Sequence, residues 1–268
     1  MPKERKDTAK YDSIVLEIFK SHYRRGLSEL AFTRDELIEA AKKLGIRVPK
    51  NVGDILYSFR FRASLPTELT EYTPEDMEWT IELAGHGKYK FKLSKINRIL
   101  PRSDVLQIKI PDSTPELVKK YSTSDEQALL TKVRYNRLID IFLGITSYSL
   151  QNHLRTTVSH VGQIEIDEIY VGINKSGSQF VVPVQAKSGN DRLGVVQSIQ
   201  DMKYCSDMFP ELICRPVSAQ FFGPNQIAMF ELLTQDGEVK VVDEKHYLLV
   251  PSSDITNEEL RHYQVLSK

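Results

Sequence analysis

The sequence predicts an α+β fold with α/β character: a mixed β-sheet core flanked by helices, preceded by a small helical domain. Three observations predict it. Near the N-terminus, apolar residues recur with helical period. From Gln163 onward, apolar runs of strand length alternate with turn residues such as Gly177, Gly189 and the Asp236-Gly237 pair. A helical segment precedes the first two of these runs and another follows them, which suits helices packed on a sheet.

Composition bounds the classes. The chain has 268 residues, enough for one large or two modest domains, and 41% of them are hydrophobic. Lys plus Arg equals Asp plus Glu at 36 each, so no global basicity announces a polyanion, and any nucleic-acid contact has to come from local patches. Only Cys205 and Cys214 are present, too few for a four-cysteine zinc site, and they point to a reducing compartment. The opening MPKERKDTAK lacks an apolar signal core, and no run approaches the ~18 apolar residues of a membrane span. The expectation is a soluble cytoplasmic protein. No GxxxxGK[ST] loop, internal repeat or Ser/His/Asp arrangement is present, and His153, His160, His246 and His262 lack metal-ligand spacing.

Residues 1–10 are polar and read as frayed. From Tyr11 to Tyr23, Ile14, Val15, Ile18 and Phe19 mark a helix that stops at Arg24-Arg25-Gly26. Thr33 with Glu36 forms a capping box for a second helix, whose apolar face is Leu37, Ala40, Ala41 and Leu44 and which Gly45 ends. Pro49 opens a third helix reaching about Phe59, with Val52, Ile55, Leu56 and Phe59 inward. A hairpin follows from Trp79 to Leu93, turning at Gly85-His86-Gly87. Lys88, Lys90 and Lys92 alternate with Tyr89, Phe91 and Leu93, so one strand face is basic. Such a face can follow a phosphate backbone, or it can simply protect an edge strand from aggregation.

Pro101, Pro111 and Pro115 with neighbouring Ser and Thr place a domain junction in 101–124, dividing the chain into 1–112 and 113–268. Ser124 with Gln127 caps a long helix from Asp125 to about Ser149, with Leu130, Val133, Leu138, Ile141, Phe142 and Ile145 at helical spacing. Two strands come next. In Gln163–Val171, Glu165 and Asp167 point one way and Ile164 and Ile166 the other; in Phe180–Lys187, Gln185 and Lys187 share one face and Val184 and Ala186 the opposite one. Glu168 falls on the other face and reads as solvated surface. If the strands pair, a carboxylate, an amide oxygen and an ammonium meet at one end of the sheet. Oxygen donors of this kind suit Mg²⁺, and the lysine can orient water or stabilise a phosphate's charge. The bland reading is a solvated hairpin face. Against it, Phe180-Val181-Val182-Pro183-Val184 reads as a buried strand. A further helix runs from about Asp191 to Met208, strands cover Ile213–Phe222, Gln226–Thr234 and Val239–Val250, and a last helix is capped by Thr256 with Glu259.

The acid, gap and Gln-x-Lys pattern of Asp167, Gln185 and Lys187 resembles the core motif of the PD-(D/E)XK nuclease superfamily, with Gln185 where most members carry Asp or Glu. The resemblance implies a restriction-endonuclease-like core in 113–268 with Asp167, Gln185, Lys187 and Glu165 catalytic. Asp167, Gln185 and Glu165 would hold Mg²⁺, for which Mn²⁺ substitutes. A helix preceding the first catalytic strand would pack on the sheet and carry an auxiliary acid, for which Glu126 and Asp140 are the candidates. Gln200 and Tyr204, one turn apart after the lysine strand, resemble the auxiliary Gln-x-x-x-Tyr motif of a recombination-nuclease branch. The three helices with their tight turn at Gly45, and the Trp79–Leu93 hairpin as a wing, are similar to winged-helix DNA-binding domains, and FTRDELIEAAKKLGIRVPKNVGDILYSFRFR resembles segments that precede nuclease domains in restriction enzymes. This would put Lys50 and Asn51 on bases, Arg60 and Arg62 on phosphates, and Lys88, Lys90 and Lys92 along the backbone. The function implied is a metal-dependent type II restriction endonuclease acting on double-stranded DNA as a homodimer, in a system with a cognate methyltransferase. The rivals are a structure-directed repair or recombination nuclease, and a catalytically inactive DNA-binding protein of the same fold.

Overall fold

The computed structural model describes residues 3–48, 52–53, 55–56, 59, 65–75, 77–85, 87–95, 99–122, 126–158, 162–187, 195–235 and 238–266. The chain divides into two compact units: Met1–Asn97 with Thr157–Gln163, and Arg98–Thr156 with Ile164–Lys268. No helix among the described residues is long and apolar enough to cross a membrane.

In the smaller unit, α1 spans Lys3–His22, so the described part of the polar segment 1–10 is helical rather than frayed. Its Ile14, Val15, Ile18 and Phe19 are buried as the spacing requires. α2 (Arg34–Lys43) starts at the expected capping box, in which Glu36 Oε1 accepts the Thr33 N–H at 2.8 Å and the Thr33 hydroxyl at 3.1 Å. Leu37, Ala40 and Ala41 face inward, but Leu44, at the C-cap, is exposed. The unit is not purely helical. An unexpected strand, β1 (Glu29–Thr33), buries Leu30 and Phe32 by strict alternation. It pairs antiparallel with β3 (Lys88–Lys95), which also pairs with β2 (Met77–Gly85). Of the expected third helix, the described Ile55, Leu56 and Phe59 are buried in the same core as Trp79, Ile81 and Phe91.

The larger unit is built on an eight-stranded mixed sheet. Its strands are β4 (Gln107–Pro111), β5 (Thr146–Val158), β6 (Gly162–Ile173), β7 (Gln179–Lys187), β8 (Ile213–Cys214), β9 (Val217–Gly223), β10 (Gln226–Gln235) and β11 (Glu238–Val250). The order is β4-β11-β10-β9-β7-β6-β5, with β8 also on β7. β9–β10–β11 and β6–β7 are antiparallel, whereas β4 on β11 and β7 on β9 are parallel. The Pro-rich segment expected to be a junction thus carries a strand of this sheet, and the division falls at Asn97/Arg98 instead of 112. Arg102 fastens that segment, donating its backbone N–H and Nε to the two Glu244 oxygens at 2.9 and 2.8 Å.

Helices cover both faces. α3 (Glu116–Tyr121) is short. α4 (Glu126–Tyr135) and α5 (Leu138–Leu143) put Leu129, Val133, Leu138 and Ile139 against Val182, Val184, Ala186 and Met229. On the opposite face α6 (Val195–Met208) packs Ile199 and Met202 against Ala228, Phe230 and Leu232. α7 (Asn257–Leu266) closes the chain behind its Thr256–Glu259 capping box.

The single long helix expected over 125–149 is absent. Arg137 turns left-handed at φ 49° and Gly144 at φ 66°, and the chain then runs extended as β5. Asn136 holds the first break, its Oδ1 accepting the Ser113 N–H at 2.7 Å and its Nδ2 donating to Thr114 at 3.0 Å. Likewise Ile213–Phe222 is two strands, because Pro216 has no N–H to give a ladder. β6 crosses close to the start of β5 at Gly172, where a Cβ would lie 2.9 Å from Ile145 Cδ1 and 3.0 Å from the Thr146 carbonyl oxygen. Gly172→Ala is therefore expected to destabilise the fold by about 1–3 kcal/mol, the usual cost of overpacking. A lowered guanidinium midpoint checks it, and an unchanged midpoint refutes it.

Candidate active site

The two strands expected to carry the chemistry do pair antiparallel, from Ile173↔Gln179 to Glu168↔Val184. Beyond that point side chains take over the bonding. The Ala186 N–H donates to Asp167 Oδ2 at 2.8 Å, and Gln185 Nε2 donates to the Glu165 carbonyl oxygen at 3.1 Å. Backbone groups there are satisfied by the candidate residues themselves, so strand ends and site form one structure.

Asp167 is 8% exposed. Burial pushes its carboxyl up to about 6 from the ordinary 3.8; the Ala186 N–H and Lys187 pull it down, while Glu126 and Glu165 add repulsion. Lys187 Nζ lies 3.3 Å from Glu126 Oε1. Glu126 opens α4, which packs on the Val184/Ala186 face of β7. Of the two auxiliary acids considered, Glu126 joins the site. Asp140 instead accepts the Ser147 N–H and pairs with Arg137, a capping role. Glu165 is taken up by Arg155 at 3.0 Å and His153 at 3.3 Å, both from β5, where His153 sits left-handed at φ 54°.

Gln185 is 3% exposed and faces α6. Its Oε1 accepts from Gln197 Nε2 at 2.7 Å, and its Nε2 donates to Asp201 Oδ2 at 2.7 Å. Burial holds the Asp201 carboxyl well above the usual range, and Asp167 adds to the rise. Gln197 and Asp201 are the α6 residues that reach the site, and sequence reasoning missed them. Gln200 and Tyr204 do not join it by any described contact. Gln200 is buried, and the Tyr204 ring packs edge-on to Phe209 at 6.5 Å. The only signal for Gln197 and Asp201 was the same four-residue spacing, three residues earlier.

Glu168 is a correction. It does point away from Asp167, but it is fully buried, not solvated, because α4 covers that face. Its Oε1 accepts from Arg134 Nε at 3.0 Å and from the Ser149 hydroxyl at 2.6 Å.

On the smaller unit, Lys50, Asn51, Arg60 and Arg62 lie outside the described residues. The lysine face of β3 carries its own counter-charges. Lys90 pairs with Glu29 at 2.8 Å and Glu82 at 3.7 Å, and Lys92 with Glu82 at 3.3 Å. The Glu29 bond raises Lys90 above its ordinary value and the partner bond lowers Glu29. Lys88 is exposed at the end of the row.

Among the described residues no group of three or more His, Cys, Asp or Glu side chains is arranged to hold a metal. The donor set is a buried carboxylate, Asp167, and an amide oxygen with a second lone pair beyond the one Gln197 uses. Mg²⁺ fits this chemistry, since it keeps several waters and is usually bound by one or two carboxylates plus substrate phosphates. No protein-family model matches this chain, and no curated protein or solved structure matches it either.

Proposed function

We propose that the chain is a metal-dependent DNA endonuclease of the restriction type, hydrolysing phosphodiester bonds at the β6/β7 end, with the smaller unit gripping the duplex. One observation carries the reading. A buried carboxylate, Asp167, stands where the β6/β7 backbone pairing gives way to side-chain bonds, within electrostatic reach of Lys187, whose ammonium pairs with Glu126. A buried acid held near a mostly buried lysine is costly for a fold and is typical of sites that handle charge. Asp167, with the Gln185 oxygen, would hold Mg²⁺. The metal, when bound, lowers the pKa of its water and offsets charge on the phosphate. Lys187, freed from Glu126, would orient the attacking water. Winged-helix character of the smaller unit, and DNA as the substrate, rest on the sequence resemblance over residues 11–62.

The test is digestion of supercoiled plasmid with Mg²⁺ or Mn²⁺, with Lys187→Ala as control. Discrete fragments lost in the variant are the expected result, with a rate loss of about 10²–10³-fold as for other single charge-stabilising groups. Smearing or nicking lost in the variant would favour a repair-type nuclease. DNA binding without metal-dependent cutting, on plasmids of varied sequence and methylation, would replace the proposal with an inactive DNA-binding protein.

A further inference from the structure

An amide at position 185 has a problem that a carboxylate does not. Its two ends are nearly the same size, and only one of them can ligate a cation; turned round, it would aim N–H groups at the metal. The structure fixes which way it lies. Nε2 spends its two hydrogens on Asp201 Oδ2 at 2.7 Å and on the Glu165 carbonyl oxygen at 3.1 Å, while Gln197 donates to Oε1 at 2.7 Å. Asp201 is 2% exposed, so water does not compete for that bond. It is also the one partner of Nε2 from outside β6, brought in by the α6 turn that also carries Gln197. Asp201 Oδ1 and the hydroxyl of Ser218, which neighbours Gln185 in the sheet, are buried with no described partner. A buried polar oxygen without a partner is costly to keep in a core and asks for an explanation.

We infer that Asp201 is a positioning residue: by accepting from Gln185 Nε2 it holds the amide with its oxygen as the end available to a divalent cation. This rests on the metal reading above and explains how the site can use glutamine where a carboxylate would need no orientation. Both ends of a carboxylate are oxygen, so the need for Asp201 disappears if position 185 is made acidic. A merely structural Asp201 would show its loss in metal-free melting and leave the Mn²⁺ affinity of the folded protein unchanged.

The experiment is a double-mutant cycle on the full chain, read as Mn²⁺ affinity by electron paramagnetic resonance of free Mn²⁺, with metal-free thermal melting to confirm folding. Asp201→Ala is expected to weaken Mn²⁺ binding about 10–100-fold, as for other groups that orient a ligand. In a Gln185→Glu background the same change should cost little. Asp201→Asn, which keeps an acceptor, should bind as the parent does. Equal losses in the two backgrounds, or Asp201→Asn binding as poorly as Asp201→Ala, would overturn the inference while leaving the metal site standing. A parent protein that binds no Mn²⁺, or that binds it equally well after Asp167→Ala, would remove the metal site and the inference together.

Discussion

Asp167→Asn is expected to cut cleavage on the order of 10³-fold and, at the same time, to stabilise the fold above about pH 6. The two effects have one cause. The Asp167 carboxyl is buried and titrates at about 6, against an ordinary 3.8. The folded state therefore holds the proton to higher pH than the unfolded chain does. Below 3.8 both states are protonated and burial carries no charge penalty. As pH rises from 3.8 to about 6, the unfolded chain ionises first and stability falls. Above that the loss is constant, at most about 3 kcal/mol. Asparagine can still accept the Ala186 N–H but carries no charge. Guanidinium unfolding should thus show the variant gaining on the parent between pH 5 and pH 8, and Mg²⁺ should raise the parent's midpoint at pH 8 but not the variant's. Cleavage should fall on the order of 10³-fold, since a bound metal is worth several kcal/mol of transition-state stabilisation. A variant less stable than the parent at both pH values would contradict the account, as would one that cuts at the parent's rate.

What was legible in the sequence followed from period and caps. The strands expected at 163–171 and 180–187 form at 162–173 and 179–187, and strand alternation brought Asp167, Gln185 and Lys187 to one end of the sheet. The capping boxes at Thr33 and Thr256 are where the pattern put them. The misses share a physical reason, which is that local spacing does not say what covers a face. Gln197/Asp201 and Gln200/Tyr204 have identical four-residue spacing on α6, and only the packing of the helix on β7 chooses the first pair. Glu168 was assigned the correct face, yet its burial depends on α4 lying across it. Of the apolar positions expected on one helix, Leu138, Phe142 and Ile145 reach the same core as Leu130 and Val133 although Arg137 breaks the helix, because a one-residue left-handed turn returns the next helix to that core, while Ile141 is exposed. β1 was hidden because Glu29–Thr33 is only five residues and serves as the N-cap approach of α2.

The fully buried Glu168 leads to the other large effect. Arg134→Met should destabilise the larger unit by about 3 kcal/mol, the low end for breaking a buried ion pair. The low end applies because the Arg134 side chain is 40% exposed while Glu168 is not exposed at all, so water can partly replace the guanidinium. Methionine keeps much of the packing of the arginine stem, which isolates the lost charge. What remains beside the carboxylate is neutral: the Ser149 hydroxyl at 2.6 Å, with the Tyr170 hydroxyl close by. Adding Glu168→Gln to Arg134→Met should recover most of the loss, because Ser149 can still donate to an amide oxygen and no charge is left to solvate. The double-mutant cycle, measured by guanidinium unfolding followed by circular dichroism, then gives a coupling that accounts for most of the single-variant effect. If Arg134→Met costs less than about 1 kcal/mol, the pair behaves as a surface salt bridge. α4 would then be held over β6 by its apolar side chains alone: Leu129, Leu130 and Val133, packed on the Val184/Ala186 face next to the candidate site.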